Sequence, residues 1–533
     1  MKKRWISLIC IVLLVIISLS IVLAVLLRTD SVEAQQSGVG CVPRNYGHDS
    51  FVCVCNVTYC DSFVNVAPAR AGIVTTYQSD RDLNRFATGQ LQFSKNTLDV
   101  GDGIVVTIER DQKFQTLFGF GGSFSDSAGL NIDKLPAKLG KNIIKDYYGG
   151  NGLKYSMGRV PIGGSDFSTR AYTYDDSDVE DFDLENWKLQ PEDIQYKVQT
   201  LKEATTEIKL VASPWSPPAW MKTNNQLNGK GELKGDPTGI YYKTWAEYFV
   251  KFLDTYKQHD IQFWGITVQN EPLDGTIENF AFNALGMTAA QQRDFVFQTL
   301  GPKLNASGYG KDKLQLMIMD DQRTLIKHWA DTILSREEAK QYVSGIAYHW
   351  YMNPFSPPEL LDEIHEKYPD FFLISSEACI GSSPFDRNQV EMGSWTRAES
   401  YAYDIIHDLQ HHTTSWLDWN LALDTTGGPN WVQNKVDSPI LVNATAQEYY
   451  KNPMYYALGH FTRFLEPGSV RLGISQNKES LEVTVFSTPS KSTVAVVLNR
   501  YQSQIPLQIN DPKYGAIRTT MDAHSIKTFV WFD

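Results

Sequence analysis

Eight apolar, β-branched runs recur through the middle of this chain, at residues 115–121, 154–161, 207–214, 263–271, 314–321, 345–351, 371–377 and 415–420. Between most of them the apolar residues repeat every three or four positions, at 138–148, 241–259, 288–300, 325–334 and 398–410. Short apolar runs closed by polar residues read as buried strands, and the intervening period as amphipathic helices. Strand and helix alternating in this way predict an α/β fold, a (β/α)8 TIM barrel. Chemistry in such barrels gathers at the C-terminal ends of the strands. Those ends read Gly121-Gly122, Arg159, Trp215, Asn270-Glu271, Asp320-Asp321, His349-Trp350-Tyr351, Glu377 and Asp418-Trp419-Asn420. The ends are polar and aromatic where the strand bodies are apolar.

Two of the ends carry a glutamate. The run 263–271 closes on Asn270-Glu271-Pro272; a proline donates no ladder hydrogen bond, so the strand is expected to stop at Glu271. The run 371–377 closes on Glu377. A charge ending a buried strand is costly unless it is paired or used. Two carboxylates at one barrel mouth suit glycoside cleavage, where one protonates the leaving oxygen and the other attacks C1 or activates water. Asn270 is then placed to hold the sugar 2-hydroxyl. In the free protein one carboxyl is expected to stay protonated, and Glu271 is the choice, because a nucleophile must be ionised.

The neighbouring positions have two readings each. Trp215, Trp350 and Trp419 are apolar platforms for a sugar ring or plain core. Arg159 orients a carboxylate or closes a structural ion pair. Asp166 follows a Gly-Gly-Ser loop, as an acceptor for sugar hydroxyls or as a turn cap. His349 reads as a hydrogen-bonded core residue, and Cys379 as a buried thiol. The glycines of 119–122 are no phosphate loop, since the spacing and the lysine are absent. No metal-ligand spacing occurs, so neither a metal nor another cofactor is expected.

The two ends of the chain carry different information. Lys2, Lys3 and Arg4 precede an uncharged run, 5–27, and Val32-Glu33-Ala34 fits a cleavage site. Residues 1–34 therefore read as a signal peptide, with a retained signal anchor as the alternative. Cys41, Cys53, Cys55 and Cys60 cluster just beyond it, as disulfides would in an exported chain. Three pairings are possible, and the local one, Cys41–Cys53 with Cys55–Cys60, is the simplest. Sequons at Asn56, Asn305 and Asn443 agree with a secretory route. The net charge of −12 argues against nucleic acid and suits an acidic compartment. Short β-rich runs at 73–77, 103–110, 481–487, 493–499 and 525–532 are expected to meet in one β-sandwich.

Specific strings carry a resemblance. Among them are Phe51-Val-Cys-Val-Cys-Asn-Val-Thr-Tyr-Cys60, Gly119-Phe-Gly-Gly122, Ala212-Ser-Pro-Trp215, Asn270-Glu-Pro272, Asp320-Asp-Gln-Arg323, Ser376-Glu-Ala-Cys379 and Gly427-Gly-Pro-Asn-Trp431. From about Cys41 onward the chain resembles the acid β-glucosylceramidases (glucocerebrosidases), which are retaining glycoside hydrolases. The resemblance implies hydrolysis of glucosylceramide, with Glu271 as acid/base and Glu377 as nucleophile. It implies a glucose pocket lined by Asp166, Trp215, Asn270, Trp419 and Asn434, with Tyr351 bonded near the nucleophile. It implies a saposin-type activator, an anionic membrane surface, and a lysosomal lumen reached by the secretory pathway, with peripheral membrane association. It implies a small disulfide-bearing sheet from 35–66 with about 421–452, a sandwich from 67–114 with about 469–533, and a barrel from 115–420 with about 453–468. The chain departs from its relatives at Phe280 and Phe282, where a hydroxyl is missing, and at Lys435, where an aromatic residue is expected. A related retaining β-glycosidase of different aglycone or sugar preference is the alternative. A sugar- or lipid-binding module on the same barrel has no need of the glutamate pair.

Overall fold

A computed structural model describes residues 40–63, 70, 72–95, 101–204, 207–383 and 386–532. The expected leader, 1–34, lies outside the described residues. The middle of the chain closes into a barrel of eight parallel strands: β1 (Gly119–Ser123), β2 (Met157–Ile162), β3 (Lys209–Pro214), β4 (Gly265–Thr267), β5 (Gln315–Gln322), β6 (Val343–His349), β7 (Phe372–Glu377) and β8 (Thr413–Asn420). The helices Ala137–Tyr148, Ile240–Gln258, Ile326–Leu334 and Trp395–Gln410 fall where the sequence periods place them.

The barrel interior is layered, and the layering follows from strand period. Successive residues point in and out, so positions two apart share a face. Met157, Val211, Met317, Ala347, Ile374 and Leu417 pack as one apolar cluster inside, with Phe118, Trp264 and Phe372 against it. Two residues further along the same strands stand Arg159, Ser213, His349 and Ser376. The interior thus changes from a sealed apolar plug to a polar layer within one step of the pleat.

Two strands break that regularity. Strand β4 is regular only to Thr267, not to Glu271 as the proline position predicts. Beyond it the pairing continues irregularly: Val268 N–H donates to Met317 O, Asn270 N–H to Pro214 O and Glu271 N–H to Asp320 O. In β5 the register slips between Met319 and Asp321, and Met319 and Asp320 take positive φ of 71° and 60°. A bulge of this kind re-aims side chains. It turns Met319 outward into the main core and Asp320 into the polar layer.

The ends of the chain meet in a nine-stranded sheet ordered Gly515–Met521, Ile505–Asp511, Ile104–Thr116, Val470–Gln476, Glu482–Ser487, Ser492–Asn499, Ser525–Phe532, Ile73–Asp80, Ala87–Gln92. Its two edges touch through a Ser94–Ala516 bridge, so the sheet curls over a core of Val74, Val106, Val483, Val485 and Trp531. The strands Ala87–Gln92, Val470–Gln476, Ile505–Asp511 and Gly515–Met521 escape the sequence pattern. Ala87–Gln92, for one, is an edge strand with no buried residue. A five-stranded sheet combines Pro43–Arg44, Val52–Asn56, Glu448–Lys451, Ile440–Asn443 and Leu423–Asp424. The disulfides Cys41–Cys53 and Cys55–Cys60 staple it in the local pairing. The buried helix Pro453–Thr462 joins all three parts. Its Tyr456 bonds Asp61, Tyr455 bonds Asp146 O, and His460 bonds Ser79 and Thr528.

Candidate active site

The polar layer of the barrel is a continuous hydrogen-bonded lattice that ends on both glutamates. Arg159, from β2, is fully buried and bonds Glu377, at the end of β7, through one terminal nitrogen. Its other terminal nitrogen donates to Asn270 Oδ1 at 2.7 Å and Asp320 Oδ2 at 3.0 Å. Asp320 also accepts from Thr267 Oγ1 at 2.6 Å and Ser376 Oγ at 2.6 Å. On its far side Asp320 meets His349 Nε2 at 3.0 Å, and His349 Nδ1 reaches Glu271 Oε1 at 3.1 Å. Gln322 Nε2 completes the Glu271 contact at 2.7 Å. Glu377 accepts a further bond from Tyr351 at 2.7 Å. The two carboxyl groups therefore hang from one scaffold, Glu377–Arg159–Asp320–His349–Glu271. Glu271 itself has φ of 38°, a left-handed value that costs a non-glycine residue on the order of 1–3 kcal/mol. That strain sits where the irregular end of β4 delivers the carboxylate to the mouth.

The sugar-pocket candidates assemble beside this lattice. The rings of Trp215 and Trp419 stack at 5.2 Å, and the Arg159 guanidinium lies 5.0 Å from the first and 5.5 Å from the second. Asp166 Oδ2 accepts from Asn430 Nδ2 at 3.1 Å and Asn434 Nδ2 at 3.0 Å. The Asp166 carboxyl feels both glutamates. So Glu271, Glu377, Asp166, Trp215, Asn270, Tyr351, Trp419 and Asn434 come together at one end of the barrel. Trp350 does not offer a platform. Its ring packs edge-on against Tyr401 and Trp416, and its Nε1 donates to Cys379 O at 2.8 Å. Its neighbours His349 and Tyr351 face the lattice, and strand alternation turns the residue between them the other way.

Protonation follows from burial and neighbours. Burial favours neutral Glu377 and outweighs the Arg159, His349 and Tyr351 contacts, so its carboxyl is raised above the ordinary glutamate range. Burial alone would neutralise His349, but the charge of Glu377 and the bonds to Asp320 and Glu271 push it up to about 10. His349 is thus a cation that donates from both nitrogens. Asp320 is buried too, yet Arg159 and His349 hold it far below the carboxylate range. Asp166 is pushed up to about 7, by burial and then by Glu377. Glu271 is lowered: burial raises it, and the His349 hydrogen bond and charge override burial. The retained proton therefore does not rest on Glu271 alone, as the sequence suggests. It is held with Asp274, whose carboxyl hydrogen-bonds Glu271 and is pushed up to about 11 by burial and by the Glu271 charge. Asp274 escapes the sequence reading because it lies in a turn, outside any strand end. The one available signal is its spacing of three residues from Glu271.

The chain has known relatives. The sequence model of the glycosyl hydrolase family 30 TIM-barrel domain matches residues 117–465, and that of the family's β-sandwich domain matches residues 468–529. The lysosomal acid glucosylceramidase of Mus musculus is 43% identical over 499 residues, covering 92% of this chain and 95% of the mouse protein. The putative glucosylceramidase 4 of Caenorhabditis elegans is 41% identical, covering 91% of this chain and 93% of its own. Among solved structures, SrfJ from Salmonella typhimurium superposes with a TM-score of 0.78 at 27% identity, covering 86% of this chain and 100% of that one.

Proposed function

The chain belongs to glycosyl hydrolase family 30, and from that we propose that it hydrolyses glucosylceramide with Glu377 as nucleophile and Glu271 as acid/base. The observation that carries the reading is the single lattice Glu377–Arg159–Asp320–His349–Glu271. It holds two carboxyl groups at the mouth of one barrel and gives each a different cation.

Each group has one task. The Glu377 carboxylate attacks the anomeric carbon, and Arg159 and Tyr351 hold its oxygens while it does so. Glu271 gives its proton to the glycosidic oxygen, and ceramide leaves. The glucose is now an ester of Glu377, whose negative charge is gone. Glu271 then takes a proton from water as that water attacks the same carbon, and glucose leaves with its β configuration retained. Asn270, oriented by Arg159, meets the 2-hydroxyl. Asp166 and Asn434 hold hydroxyls further round the ring, and the Trp215–Trp419 stack forms the apolar floor.

The lipid reaches this site from a surface. Leu273, Ile277, Met352 and Phe355 are exposed on the loops that follow β4 and β6, at the same end as the glutamates. Exposed apolar side chains around a mouth suit contact with lipid, which supports an anionic membrane surface and a saposin-type activator as partners. Among the described residues no helix is long and apolar enough to cross a membrane. We assign the protein to the lysosomal lumen, peripherally attached. We divide the chain into a small sheet (35–66 with about 421–452), a sandwich (67–114 with about 469–533) and a barrel (115–420 with about 453–468).

The roles are tested by azide rescue. Glu271→Ala is expected to lose least on substrates with good leaving groups, and azide is expected to restore turnover by forming β-glucosyl azide. Rescue of a Glu377 variant instead, with an α-linked product, reverses the assignment. α-Glucose as the first product of the wild type rules out retention. Anionic lipid is expected to raise activity on glucosylceramide far more than on a soluble aryl glucoside, and equal stimulation speaks against surface presentation.

A further inference from the structure

The sandwich sheet parts along one seam. Strand Val470–Gln476 pairs with Glu482–Ser487 at Val470–Ser487 and Arg471–Phe486, and the register goes no further. Beyond it Val470–Gln476 follows Ile104–Thr116, where the partner of Leu472 is Lys113 and that of Gly473 is already Glu109. A cavity of about 280 Å³ opens at the parting. Gln112, Phe114, Arg471 and Thr484 wall it from the sheet, and Gln410 and His411 from the end of the helix Trp395–Gln410.

Arg471 is half-buried in this wall. Its Nε donates to Gln115 Oε1 at 2.9 Å, and its guanidinium lies 3.6 Å from the centre of the Phe114 ring. Among the described residues its two terminal nitrogens have no hydrogen-bond or ion-pair partner. Enclosed guanidiniums elsewhere are answered. Arg323 and Arg397 hold Asp408 and Asp437, and Arg85 and Arg463 donate to backbone carbonyls. An unpaired charge gives up water on burial and gains nothing in return. Burial pulls the Arg471 guanidinium down to about 10, against the charge of Asp362.

The nearby carboxylates are already engaged. Asp362 meets His411 Nδ1 at 2.7 Å, and Glu482 meets His407 at 3.1 Å and Arg500 at 3.4 Å. The local field is positive: His412 is pushed down to about 4 by burial and then by His365 and Arg471. Thr484 adds an unanswered polar group to the wall. It is 1% exposed, and its hydroxyl has no partner among the described residues.

We propose that this cavity binds a small oxyanion, a carboxylate or a phosphate group, which the two terminal nitrogens of Arg471 hold by two oxygens. The guanidinium fork fits that pair of acceptors, and the Thr484 hydroxyl offers a further donor. The site stands apart from the glutamates. Gln115, which takes the Arg471 Nε, also donates to Leu409 O at 2.6 Å and Thr413 O at 3.0 Å. Thr413 begins β8, so the cavity adjoins the N-terminal end of the barrel, opposite the mouth. A bound anion there fastens the sandwich to the barrel without touching substrate. A ligand held by the folded protein alone raises its stability along a saturating curve.

The test is a thermal melt against sodium phosphate and against sodium acetate, each compared with sodium chloride at equal ionic strength. At saturation at least one of the two is expected to raise the wild-type melting temperature by about 2 °C or more over chloride. A rise with phosphate alone assigns the site to phosphate groups, and a rise with acetate alone to carboxylates. Arg471→Gln is expected to show no rise over chloride. Arg471→Lys keeps the charge but loses the fork, and is expected to show a smaller rise; it carries the test if Arg471→Gln folds poorly. No rise in the wild type, a rise that climbs without saturating, or a full rise in either variant overturns the proposal.

Discussion

Two buried ionic clusters in this molecule are built from the same parts and do different work. One is the lattice of Arg159, Asp320, His349, Glu271 and Glu377 at the barrel mouth. The other joins the small sheet to the barrel: Lys451 Nζ lies 3.3 Å from Asp61 Oδ1 and 3.0 Å from Asp146 Oδ1. Tyr449 bonds Asp146 at 2.6 Å, and Tyr456 bonds Asp61 at 2.6 Å. Both clusters are desolvated, and both contain perturbed carboxyls. Burial lifts Asp146 above the carboxylate range against the pull of Lys451. Perturbation by itself therefore does not mark the site. The difference is setting. Lys451 and its partners lie between the small sheet and the barrel, whereas Glu271 and Glu377 share the barrel mouth with the Trp215–Trp419 stack and the Asp166 carboxyl.

The sharpest break in the comparison is chemical. Glu377→Gln is expected to cut kcat on all glucosides by on the order of 10⁴-fold or more, with the melting temperature held or raised, since a buried charge is removed. Steady-state kinetics beside a thermal melt reads both. A large loss of stability in that variant places Glu377 among structural charges like Lys451.

Lys451→Met is the mirror experiment. It leaves Asp61 and Asp146 buried without their cation, at a cost of roughly 3–5 kcal/mol. Denaturant titration is expected to show that loss, while the folded fraction turns over aryl glucoside at close to the wild-type kcat. A specific loss of kcat with unchanged stability contradicts the division between the clusters.

The smallest effect sharpens the picture within the mouth. Tyr351→Phe removes a hydrogen bond that favours ionised Glu377. Glu377 is already raised by burial, so losing the bond raises it further. The acid limb of kcat/KM, where the nucleophile takes up a proton, is then expected to move to higher pH. The activity near the optimum should fall by roughly tenfold, as for one charge-assisted bond. An acid limb that stays in place shows that Glu377 does not set it.

How much of this was legible in the chain differs from part to part. Glu377 was plain, because Phe371–Glu377 is an apolar run with a carboxylate at its end and β7 stops there. Glu271 was found for a reason only partly right. Pro272 does mark the end of pairing, but regular β4 stops at Thr267, four residues short of Glu271. Trp350 stayed open between platform and core, because a run of polar and aromatic residues hides which of them face in, and the structure gives the core reading. The Ala87–Gln92 edge strand carried too little burial to leave a pattern.

The sequence by itself determined the barrel and the two glutamates, because strand period and the apolar-to-polar switch at strand ends are local and repeat eight times. The lattice between them was decided by the tertiary structure. Asp320 and Asp321 are adjacent and chemically identical, yet a register slip turns one toward Arg159 and His349 and leaves the other to bind the Leu273 N–H. Where the resting proton lies was decided in the same way. Ionisation depends on what stands across the cavity, and Glu271 faces His349, whose place on a distant strand becomes its neighbour only when the barrel closes.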